Sequence, residues 1–386
     1  MTKMIQAGAC LAIAFVLCTT AFSQSSDARK KFIRGSIADK TAAVRESSEP
    51  SLARDALNFA LAYKTELGND RDLDALAVAG VLALSADGLD YASKKEMIEM
   101  LSQLFALFPS DTVRVAVLNK VVMLKNVVPV EQFAEQLESF LAAEQSESIM
   151  VKAAIQTLGE IGAGNSFVAI YNGNRQQKWQ HYKAEVDNAL ASLADKSLPH
   201  ILAIIQEGNV KDGIRPLFDL FAKSEKISAS FKSEIAENVL SQTIYIANNS
   251  SAVTRETVSL QIDALAVIVS NRWTRAAQSV LAFFELAERE YRAGVMTGDE
   301  FVKVVNGVAS VAPVDASSRL SSYLAELNKQ TESGSKAPEK VVLAVIDALG
   351  NIGDKSSFDT LLYVTYVKYP DTVVAAARDA LARLKW

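Results

Sequence analysis

Cysteine is nearly absent: Cys10 and Cys18 are the only two in 386 residues, and both fall within the first two dozen positions. Residues 24–386 therefore hold no thiol, which excludes a disulfide framework, a cysteine nucleophile and a thiolate-bound metal there. Histidine is as scarce, with only His181 and His200. Zinc and copper centres built from His and Cys take three or four such ligands, more than these two can supply. A Ser-His-Asp arrangement would have to use one of the two, and no Gly-x-Ser-x-Gly turn occurs to present the nucleophile. Gly159, Gly162 and Gly164 stand in a helical pattern with no strand before them, so they do not form a dinucleotide fingerprint. The sequence thus predicts no catalytic residue, no metal and no cofactor, and the chain reads as a non-enzyme. A long apolar run is also missing after the first two dozen residues, so no transmembrane segment is expected there. The net charge of −5 gives no general case for nucleic-acid binding.

The first residues differ from the rest. Lys3 supplies a positive start, Ala7 to Cys18 is uncharged and mostly apolar, and Ala21-Phe22-Ser23 places small residues three and one positions before Gln24. This is the pattern of a secretory signal peptide over 1–23, cut between Ser23 and Gln24. Two other readings are weaker on chemistry. A membrane anchor needs roughly 20 apolar residues, and lipidation needs a small residue before the acceptor, whereas Leu17 precedes Cys18. Export of a chain without disulfides points to a bacterial periplasm. Loss of Lys3 with the leader takes the net charge from −5 to −6.

From there the periodicity is helical. Val151, Ala154, Ile155, Leu158 and Ile161 recur three and four apart, with Lys152, Gln156 and Glu160 on the opposite face. No convincing alternation at period two appears. The eight prolines mostly mark helix boundaries, as Pro50, Pro109, Pro338 and Pro370 do. An internal repeat organises the pattern: a shift of 191 residues lays Val151–Leu193 on Val342–Leu384 without a gap, with 14 of 43 positions identical. Leu158-Gly159-x-Ile161-Gly162 matches Leu349-Gly350-x-Ile352-Gly353, Ser166-Phe167 matches Ser357-Phe358, and Ala189-Leu190-Ala191-x-Leu193 matches Ala380-Leu381-Ala382-x-Leu384. Gly162 and Gly353 sit where a helix must stop, and Gly159 and Gly350 remove a side chain where two helices must approach. Leu265, Val308, Leu349 and Leu381 read as equivalent positions at spacings of 43, 41 and 32, the range of two-helix repeats.

Pro338-x-x-Val341, Ala348-Leu349-Gly350-x-Ile352-Gly353-Asp354 and Asp371-x-Val373 through Leu384 together resemble the HEAT-repeat family, most closely the short bacterial repeats also found in phycobilin lyases. The resemblance is good over about 145–195 and 338–386 and faint elsewhere. It implies an all-α fold, an armadillo-like α-solenoid of stacked antiparallel helix pairs with an extended face for partners, and no particular chemistry. The expected organisation is the leader over 1–23, a polar basic arm or capping helix over 24–50, and an array of eight or nine helix pairs over 51–386. The segment around 205–260 is the least regular.

Two surfaces stand out as candidates. Tyr171, Arg175, Lys178, Trp179 and Tyr182 place two cations among three aromatics, where the sister copy has an apolar helix end from Leu362 to Tyr369. Such residues form partner-binding hot spots and can also grip a glycan, or they pack over the next helix. Glu131, Glu135 and Glu138 share one helical face in a stretch, 126–151, that has no Lys or Arg. They form an acidic docking face for a basic protein partner, or simply a solvated one. The expected function is an exported scaffold for protein partners. The alternatives are a ligand or glycan binder, or a lyase or chaperone on the same fold.

Overall fold

The computed structural model describes residues 27–47, 49–144, 147–249 and 253–385. They fall into two compact units, Met1–Ser197 and Leu198–Trp386. The leader and its Ser23–Gln24 bond lie outside the described residues. Among the described residues every regular element is helical, and the β contact is an isolated bridge between Asp354 and Lys385.

The first unit contains α1 (27–34), α2 (Ile37–Glu46), α3 (Pro50–Leu67), α4 (Arg71–Ala83), α5 (Tyr91–Leu107), α6 (Asp111–Leu124), α7 (Glu131–Ala143), α8 (Ile149–Ile161), α9 (Gly164–Arg175) and α10 (Lys183–Leu193). Here α2, α4, α6, α8 and α10 pack each on the next, and α3, α5, α7 and α9 do the same. The chain therefore alternates between two layers, which is the neighbour pattern of a helical solenoid. In the 24–50 segment, Phe32 of α1 and Ala43 and Val44 of α2 are buried with Leu52, Ala56 and Leu76.

The second unit contains α11 (Leu198–Glu207), α12 (Arg215–Lys223), α13 (Ala229–Asn249), α14 (Arg255–Ser270), α15 (Ala277–Arg292), α16 (Gly298–Val311), α17 (Pro313–Glu332), α18 (Glu339–Ile352), α19 (Phe358–Val364) and α20 (Asp371–Arg383). Its layers are formed by α14, α16, α18 and α20 on one side, and on the other by α11 on α13, α13 on α15 and α17 on α19. The irregular 205–260 segment lies inside this unit, with a π-helical turn at Val210–Ile214 ahead of α12. Leu265, Val308, Leu349 and Leu381 fall on α14, α16, α18 and α20, successive helices of one layer. Of the boundary prolines, Pro50 opens α3, while Pro338 and Pro370 are the caps that start α18 and α20.

The 191-residue repeat is reproduced in the packing. A Cβ added to Gly159 would lie 2.9 Å from the Cα of Ala189, and one added to Gly350 would lie 2.9 Å from the Cα of Ala380. In each unit a missing side chain lets α8 approach α10, or α18 approach α20, at backbone contact distance. Ser166 and Ser357, another repeated pair, are fully buried. Ser166 Oγ donates to Glu138 of α7 at 2.5 Å, and Ser357 is hydrogen-bonded to Ser317 and Ser321 of α17 at 3.1 and 3.0 Å. The two helix stops differ in detail. Gly353 is left-handed, with φ +73, whereas Gly162 has φ −74 and is needed for room, since a Cβ there would meet Ser166 Oγ at 2.5 Å. Because the obstacle beside Gly159 is backbone, Gly159→Val should cost about 2–3 kcal/mol by overpacking. A urea midpoint within experimental error of the parent would show that α8 and α10 can separate freely.

Three buried lysines, Lys40, Lys64 and Lys120, cap helix ends in the first unit. Lys40 Nζ donates to the carbonyl of Phe32 at the end of α1, and Lys64 Nζ donates to Gly68 O at 2.7 Å, just past α3. Lys120 Nζ, on α6, donates to Leu82 O and Leu84 O at 2.9 Å each, ending the neighbouring α4. The last carbonyls of a helix have no intrahelical partner and carry its negative dipole end, so an ammonium answers both needs. The aliphatic stems supply apolar contact on the way.

Candidate functional site

The turn after α9 is built by the backbone before any side chain acts. Gln176 N donates to Asn172 O at 3.1 Å, Gln177 N to Asn174 O at 2.9 Å, and Lys178 N to Gly173 O at 3.1 Å. Gln177 is left-handed, with φ 57, and closes the helix without a glycine. That closure swings Trp179 back over α9, where its indole lies on Gly173. A Cβ at Gly173 would be 2.2 Å from Trp179 Cη2, so glycine at 173 is what makes room for the ring. Trp179 is 3% exposed and Tyr171 2%.

The five sequence-predicted residues are thus neighbours that face different ways. Tyr171 stacks on Phe167 at a 5.9 Å centroid distance, and burial pushes its hydroxyl up to about 12, so it stays neutral. Arg175 is exposed and its guanidinium lies 6.0 Å from the Tyr171 ring centroid. Lys178 and Tyr182 are half-buried, and Lys152 Nζ lies 5.8 Å from the Tyr182 ring centroid while pairing with Glu185 at 2.7 Å. A groove of about 200 Å³ opens here, lined by Leu141 and Ala142 of α7, Asn172 of α9, and Gln176, Lys178 and Trp179 of the turn. Of the two readings the sequence left open, an exposed grip or packing against a helix, Tyr171 and Trp179 follow the second, and the turn offers amides and cations outward. Neither a protein-family model nor a curated protein matches the chain.

The acidic face is divided as well. Glu131 and Glu135 are exposed on α7, but Glu138 is half-buried and accepts the Ser166 hydroxyl. Glu147 is engaged with His181: it accepts the backbone N–H at 3.0 Å, lies against the ring, and is held below the usual carboxylate range chiefly by that backbone bond. Of the predicted triplet, Glu131 and Glu135 therefore face solvent, while Glu138 is drawn into the packing.

The sister turn after α19 keeps its position in the repeat but differs in surface. Tyr366 is 75% exposed, and Tyr363 is exposed with its hydroxyl donating to Glu332 at 2.5 Å. A second tryptophan turn recurs after α14. Arg272 is left-handed with φ 51, Trp273 Nε1 donates to Glu237 at 2.7 Å, and Arg275 lies 5.1 Å from the ring centroid. Among the described residues no three His, Cys, Asp or Glu side chains gather as metal ligands, and no helix is long and apolar enough to cross a membrane.

Proposed function

We propose that this chain is an exported, non-enzymatic interaction scaffold, a HEAT-like array that binds protein partners through side chains on its turns. The observation that carries the reading is the contrast between the two repeat copies. Gly159 against Ala189 and Gly350 against Ala380 keep one packing geometry, while the exposed turns beside them present Arg175 and Lys178 in one copy and Tyr363 and Tyr366 in the other. Constant packing with diversified turns is how stacked repeats make a long surface of many weak contacts. Export to the periplasm rests on the leader pattern and on the lack of cysteine in 24–386. The glycan alternative loses support because Tyr171 and Trp179 present no open ring face.

The test is crosslinking of the exported protein in cells, with mass spectrometry of the captured proteins. The reading expects a small, reproducible set of envelope proteins. It also expects Arg175→Ala with Lys178→Ala to deplete part of that set by several-fold at unchanged helical content. Capture at background level with the parent protein overturns the scaffold reading. Full capture by the double variant removes the α9 turn from it.

A further inference from the structure

One layer of the first unit carries two charged ends of opposite sign. On α7 the exposed residues Glu131, Glu135, Ser139 and Ala142 recur four, four and three apart, so they form one stripe along the helix. On α9 the solvent side runs through Asn165, Ala169, Asn172 and Arg175, all exposed except the half-buried Ala169. The two helices pack side by side and run the same way, because Leu141 and Ala142 near the end of α7 share a groove with Asn172 near the end of α9 and with Gln176 just past it. The surface therefore has an acidic end at Glu131 and Glu135 and a cationic end at Arg175 and Lys178. The helical rise from Glu131 to Leu141 sets the two ends about 15 Å apart. Between them lie Ser139, Ala142 and Ala169, short side chains that leave room for a second surface to come close.

Pairing within the unit does not neutralise either end. The ion pairs nearby join Lys125 to Glu160, Lys152 to Glu185 and His181 to Glu147, and among the described residues none takes up Glu131, Glu135, Arg175 or Lys178. Nor do the ends neutralise each other, since about 15 Å exceeds the screening length of about 8 Å at physiological salt.

A face with acid at one end and base at the other is complementary to itself after a half-turn about an axis perpendicular to its helices. We propose that the outer sides of α7 and α9 dock a second copy of this chain with two-fold symmetry, Glu131 and Glu135 of each copy meeting Arg175 and Lys178 of the other. Each patch is then used twice, as an isologous contact requires. This rests on the reading of the α9 turn as a binding surface and names its partner. A foreign partner of one charge would engage one end and leave the other unpaired, whereas a second copy pairs both.

Sedimentation equilibrium of the purified protein tests the contact. The expected result is a monomer–dimer equilibrium whose dissociation constant rises about tenfold between about 0.01 M and about 1 M salt, as the screening length falls from about 30 Å to about 3 Å. An acid-reversed variant, Glu131→Arg with Glu135→Arg, and a base-reversed variant, Arg175→Glu with Lys178→Glu, should each be monomeric at unchanged helical content, because like charges then meet at both ends. An equimolar mixture of the two should associate again as a heterodimer, because every end then meets its opposite. A monomeric parent, a dimer indifferent to salt or to either reversal, or a mixture that stays monomeric would overturn the proposal. If the base-reversed variant loses helical content, Arg175→Glu alone takes its place. Crosslinking in cells separates this contact from the scaffold reading: a monomeric parent that still captures envelope proteins ends the dimer and leaves the scaffold standing.

Discussion

Trp179→Ala should lower the unfolding free energy by about 3–5 kcal/mol, the range for emptying a buried tryptophan site. The indole is 3% exposed and fills the space beside Gly173, which has no side chain to move into the volume the ring would leave. The loss should appear as a lower urea midpoint at an unchanged m-value, read by circular dichroism. Gly173→Ala should fail at the same place for the opposite reason, since its Cβ would need the volume the ring occupies. A variant that keeps its midpoint while losing a crosslinked partner would show that Trp179 is an interface residue.

Lys120→Met tests how helix ends are closed inside the first unit. Methionine keeps most of the stem volume but removes the ammonium that serves Leu82 O and Leu84 O. Two carbonyls at the end of α4 would then be left without their charge-assisted partner, for an expected loss of about 2–4 kcal/mol. Burial already pushes the Lys120 ammonium down from its usual value. A loss below about 0.5 kcal/mol would mean that water reaches those carbonyls and that the lysine adds little.

Much of the candidate site was legible only as a list of neighbours. The spacing from Tyr171 to Tyr182 placed the residues in one turn, but burial depends on where that turn folds back. Gln177 in a left-handed conformation and the bare Cα of Gly173 decide that Trp179 faces inward. No local pattern announces a non-glycine residue with positive φ. Glu138 shows the same limit, since its spacing puts it on the face of Glu131 and Glu135 while Ser166, 28 residues later, draws it toward α9.

The sequence by itself determined the helical class, the prolines at helix starts, and the close approach at Gly159 and Gly350. Each depends on spacing of a few residues or on comparison of two copies of one pattern. Only the tertiary structure decided that Lys40, Lys64 and Lys120 are buried at helix ends, and that Glu290 and Gln261 are buried in the second unit. In one dimension a lysine or glutamate reads as the polar face of its own helix. The partners of Lys120 are carbonyls 38 and 36 residues away, brought near by layer stacking, which leaves no periodic trace at either position.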